Sequence, residues 1–199
     1  MRESVPSGVV KAALRPAFVA ATVTWALLLP LVPFLASRPH ATSIGAALLI
    51  AAYAIGGVIC HQLPERSFHL WTAQMPVCAR CAGIYFGAAV AAIVASVERG
   101  VPASARSEIS RAMARLAGAP EAQRRQPRGR GPESAPPPRP DLLRAVLLGA
   151  ALPTLATLVY EWTTGHMPAH SIRAAAGAPL GATVAWMALR SMPRRDART

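Results

Sequence analysis

Five long apolar runs with almost no charge constrain this chain more than anything else in it. They are Ala17–Ala36, Ala41–Cys60, Pro76–Val97, Leu142–Tyr160 and Ile172–Leu189. The only charged residues within them are Arg80, Arg144 and Arg173, each near a run's start. A hydrocarbon core about 30 Å thick takes roughly 20 residues of helix at about 1.5 Å each. The runs have that length, so the fold they predict is all-α: a polytopic transmembrane bundle of about five spans. Charged residues make up 15% of the chain, against about 25% in ordinary globular proteins. The deficit falls on whole segments, as spans require. A basic start leads into Ala17–Ala36, a run long enough to span with only a weak small-residue cleavage pattern near Ala36, and it is read as a mature helix rather than a cleaved signal peptide.

Pro30, Pro33 and Pro153 lie inside runs and predict kinks, which membranes accept where neighbours re-satisfy the backbone. Gly83 and Gly87 in the third run, and Gly177 and Gly181 in the fifth, have the spacing that lets helix backbones approach closely. Packing within the chain is the preferred reading over dimerisation.

Residues 98–141 break the pattern. They carry nine arginines and, near their end, the run Pro136–Pro138. The second half predicts disorder. The first, Ser104–Leu116, is either a basic surface helix or a solvated loop, and the loop is preferred. The chain therefore divides into three spans (1–97), a basic cytoplasmic loop (98–141), and two spans with a basic tail (142–199). All of the 21 basic residues except Lys11 are arginine. They lie between and after spans, which fits membrane orientation rather than nucleic-acid binding. Holding the loop and the tail Arg190–Thr199 inside puts the loops at 60–75 and 161–171 outside. Those two loops share a face in either orientation, because two spans separate them.

All three cysteines, Cys60, Cys78 and Cys81, fall within 22 residues, beside His61. Three readings fit. Zinc takes thiolates and imidazole, and Cys-x2-Cys is a standard half-site. The ligands would then be Cys60, Cys78, Cys81 and His61, with His69, His166 or His170 as substitutes. Alternatively, Pro76 opens a helix, its dipole activates Cys78, and Cys78 and Cys81 form the redox pair of a membrane thiol oxidoreductase. Finally, the cysteines are structural, in a disulfide or inert, within a non-catalytic assembly or transport factor. Ala82 after Cys81 excludes c-type haem attachment. No nucleophile elbow, His-Glu-x-x-His or phosphate-binding glycine loop is present.

The facing loop supplies a second polar set, Glu161, His166, His170 and Arg173. Glu161 and Arg173 end and begin spans, where ionisable groups either serve function or pair across a hairpin. Pro64–Phe68 reads as a turn into a short interfacial helix, with Phe68 and Trp71 at the headgroup level.

Cys60-His61-Gln62, Pro64-Glu65-Arg66-Ser67-Phe68 and Pro76-Val77-Cys78-Ala79-Arg80-Cys81-Ala82-Gly83-Ile84-Tyr85-Phe86-Gly87 resemble the predicted membrane proteins labelled domain of unknown function 2085. Glu161, Arg173, Gly177 and Gly181 form a looser match. The resemblance implies membrane location and a cysteine–histidine signature, and no activity. The arginine-rich insertion departs from the family pattern.

Overall fold

A computed structural model describes residues 7–38, 42–100, 108 and 140–192. The elements run α1 (Ser7–Ala36), α2 (Ser43–Ile59), a 3-10 turn (Pro64–Arg66), β1 (Ser67–Leu70), β2 (Ala73–Cys78), α3 (Ala79–Gly100), α4 (Pro140–Thr164) and α5 (His170–Ser191). The architecture is the polytopic helical bundle the apolar runs predict. Four stretches are long and apolar enough to cross a membrane: Ala13–Ala36, Ala79–Glu98, Asp141–Thr164 and His170–Ser191. α2 has 17 residues, about 25 Å of helix, shorter than a full crossing. It stops because Cys60 turns extended at the helix end (φ −150°, ψ 141°). The expected surface helix and disorder in the arginine-rich loop lie outside the described residues.

Much of the bundle's apolar surface faces outward. Val58 is 87% exposed and Leu148 66%, and for a membrane chain that surface is the lipid contact. α4 packs mainly on α5, leaving most of its circumference to lipid.

α3 and α5 form the tightest contact, and the two glycine pairs make it. A methyl group on Gly83 would collide with the Ala174 carbonyl, and one on Gly87 with that of Ala178. Reciprocally, Gly177 faces the Arg80 carbonyl and Gly181 that of Ile84. The motifs read as internal packing devices do pack on each other, backbone against backbone.

The third helix begins at Ala79, three residues later than the apolar run suggests, because Ala73–Cys78 is a strand. It pairs antiparallel with Ser67–Leu70, in the place of the expected interfacial helix. The turn between them has only two residues, Trp71 and Thr72, with φ of 50° and 71°. Asn-Gly is the usual signal for such a turn; here bulky residues take the left-handed region, so the sequence carries no hairpin cue. Tertiary contacts hold it: the Trp71 ring meets Phe34 of α1 edge-on at 5.2 Å. Met75 and Val77 point into the core with Leu29 of α1 and Ala82 of α3, and Trp25, Phe68, Cys60 and Cys81 pack around them. Phe68 therefore faces the protein rather than the headgroups, while Trp71 stays 54% exposed at the tip.

Candidate metal centre

Three elements deliver one sulfur each. Cys60 ends α2, Cys78 ends β2, and Cys81 lies in the first turn of α3. The three Sγ atoms all lie within 4.8 Å of one another. All three thiols are free and partly buried.

A network of amide side chains sets this geometry. Gln62 takes φ 49°, and its Nε2 donates to the carbonyls of Tyr53 (2.9 Å) and Pro76 (2.7 Å). That clamps the end of α2 to β2. Gln74 Nε2 returns the bond to the Gln62 carbonyl at 2.7 Å. The Tyr53 hydroxyl donates to the Gln74 carbonyl, and Ser67 Oγ to that of Leu63 at 2.9 Å. Gly56 admits this arrangement, since any side chain there would overlap the Pro76 carbonyl and Gln62. Burying these polar groups in mutual hydrogen bonds makes the loop stiff, because an unpaired partner would be costly.

The electrostatics favour thiolate at Cys78. The backbone N–H of Cys78 donates to Cys60 Sγ at 3.2 Å. The Cys78 thiol is pushed down to about 5, chiefly by a hydrogen bond from Cys81, with smaller help from the Cys60 thiol and from backbone donors, and against the opposing effect of burial. Thiolates, not thiols, ligate metal and attack disulfides.

His61 follows Cys60 directly and is exposed, as is His69 on β1. The ring of His170, at the start of α5, lies 5.6 Å from that of Phe68, and its Nε2 is 3.2 Å from the Glu65 carbonyl. This contact puts the 161–171 loop and the cysteine loop on one face, as the parity of spans requires. His166 is exposed and bonded locally, its Nδ1 2.9 Å from the Thr164 carbonyl. Among the described residues, the cysteine trio is the group of His, Cys, Asp or Glu side chains placed to share an ion.

Glu161 and Arg173 meet in the interior, with a third member the sequence reading treats only as a nearby positive charge. Arg80, between Cys78 and Cys81, donates from Nη2 to Glu161 Oε1 at 2.8 Å and to Thr157 Oγ1 at 3.2 Å. Arg173 Nε stands 3.0 Å from the same carboxylate oxygen. Its N–H is not aimed there, so that contact is coulombic rather than a hydrogen bond. The available signal was Arg80 itself, a lone charge just inside an apolar run.

Residues 60–117 match the family described as predicted membrane protein (DUF2085). The chain is 41% identical over 64 residues to an uncharacterised protein of Methanocaldococcus jannaschii, covering 32% of this chain and 41% of that one. It is 57% identical over 30 residues to an uncharacterised protein of Methanothermobacter thermautotrophicus, covering 15% of this chain and 27% of that one. The matches thus span less than half of either relative. No solved structure matches. The later block with Glu161 and Arg173 falls outside the family match. Through residues 60–117, the stretch that carries Cys60, Cys78 and Cys81, the chain matches the family of predicted membrane proteins labelled domain of unknown function 2085.

Proposed function

We propose that Cys60, Cys78 and Cys81 hold a soft transition-metal ion, zinc foremost, at one membrane face. The observation that carries this is the trio of sulfurs within 4.8 Å of one another. Zinc–sulfur bonds of about 2.3 Å in a tetrahedron put sulfurs about 3.8 Å apart. Small side-chain rotations close that difference. The depressed Cys78 thiol favours the ligating form, and the Cys78 N–H holds Cys60 Sγ beside it. Partial burial against an apolar core adds to affinity by excluding water.

His61, beside Cys60 and exposed, is the fourth ligand we favour; a water there would instead make the ion Lewis-acidic. In either case the ion ties the end of α2, the end of β2 and the start of α3 together. We place this face outside, with the arginine-rich loop and tail inside, on the distribution of arginine. Adding zinc to metal-stripped protein should raise its unfolding temperature; no change would remove the reading.

The Cys78 thiol supports a second reading, membrane thiol–disulfide exchange. Cys78 thiolate would attack a substrate disulfide, releasing one substrate thiolate and forming a mixed disulfide. Cys81 would then displace the second, leaving a Cys78–Cys81 disulfide and a reduced dithiol. An external dithiol would have to regenerate the pair. Thiol trapping in cells separates the readings: a redox pair cycles between thiol and disulfide, and a metal site stays reduced and protected. A function intact after all three cysteines become serine would favour an assembly or transport role instead.

A further inference from the structure

One carboxylate faces two guanidiniums in the interior of the bundle. The side chain of Glu161 is 5% exposed, that of Arg173 1% and that of Arg80 13%. A guanidinium does not release its proton in a protein, so this cluster holds one positive charge in excess. Among the described residues, Arg173 Nη1 and Nε and Arg80 Nε are buried with no hydrogen-bond partner. Uncompensated charge and unpaired donors at such depth are strongly unfavourable.

The surroundings add further positive potential. Arg80 and Arg173 lie in the first turns of α3 and α5, and helix N-termini are the positive ends of their dipoles. The N-cap of α5 is Ala169, so no N-cap side chain satisfies its first-turn amides. The two helices pack side by side from their second turns, with Gly83 against the Ala174 carbonyl and Gly177 against that of Arg80.

We propose that Arg80 and Arg173, in the first turns of α3 and α5, bind the phosphate group of a ligand, with Glu161 as an internal counter-ion that competes for the same two guanidiniums. Guanidinium matches phosphate oxygens in geometry and charge. A net charge of one positive suits a singly charged phosphodiester. The site lies beside the sulfur trio, because Arg80 separates Cys78 from Cys81 in sequence, but it does not depend on any metal there. The phosphate can belong to a lipid headgroup or to a soluble compound.

The test uses the full chain in a phosphate-free maltoside detergent and follows thermal unfolding. One arm adds inorganic phosphate against chloride at matched ionic strength. The other adds phosphatidylglycerol to the micelles. One arm should raise the unfolding temperature by about 5 °C or more at saturation, and the arm that acts names the source. Arg173→Gln should abolish the shift. Glu161→Gln, which keeps both arginines and removes their competitor, should bind the active probe about tenfold more tightly, a gain no misfolded variant can show. A null result in both arms would overturn the proposal. So would equal effects of chloride and phosphate, a shift that survives Arg173→Gln, or a Glu161→Gln chain that binds no tighter.

Discussion

Arg80 and Glu161 are 81 residues apart in sequence and 2.8 Å apart in space. Their bond joins the first turn of α3 to the end of α4, and Arg173 brings α5 to the same oxygen. The cysteine site is therefore seated on a charged junction of three helices, and the junction and the sulfurs share Cys78–Cys81 as their common segment.

The charge count at that junction ranks its members. Glu161→Ala leaves two buried guanidiniums without a counter-charge and should cost about 3–5 kcal/mol. Arg80→Met leaves Glu161 paired one to one with Arg173 and should cost clearly less. Reversible unfolding in mixed micelles reads the difference, and an Arg80→Met chain as unstable as Glu161→Ala would refute the ranking.

Glycine at the α3–α5 contact is a matter of space. Gly83→Ala or Gly181→Ala drives a methyl into the backbone of the facing helix and should destabilise by about 1–3 kcal/mol. Gly149→Ala in α4 meets nothing within 4 Å. There the change should be neutral or stabilising by up to about 1 kcal/mol, since alanine favours helix. Equal effects at the three positions would contradict the packing described for α3 and α5.

The Cys78 thiol should keep its reactivity in acid. Its pKa is depressed to about 5, so in metal-stripped protein it stays thiolate down to that pH. Alkylation of Cys78, read by mass spectrometry, should change little between pH 8 and pH 6 and fall through about pH 5. An ordinary thiol, with a pKa of about 8.5, would already be fading below pH 8. Cys81→Ala removes the principal hydrogen bond to Cys78 and should move the fall toward that ordinary value. An unchanged profile would show that Cys81 is not the cause.

The hairpin clamp should matter for metal retention without touching the ion. Gln62→Ala deletes the bonds to Tyr53 and Pro76. Loss of such supporting bonds typically costs about 10–100-fold in metal affinity. Zinc competition against a chromophoric chelator measures it, and wild-type affinity in this variant would show that the clamp does not position Cys60.

What the sequence made legible follows from the range of the forces involved. Spans are long and locally encoded, so the apolar runs located α1, α3, α4 and α5 to within a few residues over most of their ends, and the glycine pairs identified the tight contact. Clustering of Cys60, Cys78 and Cys81 in the sequence points to the candidate site without any knowledge of the fold. The β-hairpin was hidden because Trp71 and Thr72 lack turn chemistry and Pro76 suits a helix start as well as a strand. Its shape comes from Gln62, Gln74 and the core contacts of Met75 and Val77, which are tertiary. The role of Arg80 was hidden for the same reason, since its partners come from Thr157 and Glu161 on a distant helix.

Elemental analysis of the detergent-purified chain, combined with a count of reactive thiols before and after chelation, tests the metal centre most directly. About one zinc per chain is expected, with Cys60, Cys78 and Cys81 shielded from alkylation until a chelator removes the ion. A chain carrying no transition metal, whose three thiols react freely or include a disulfide, would contradict that expectation.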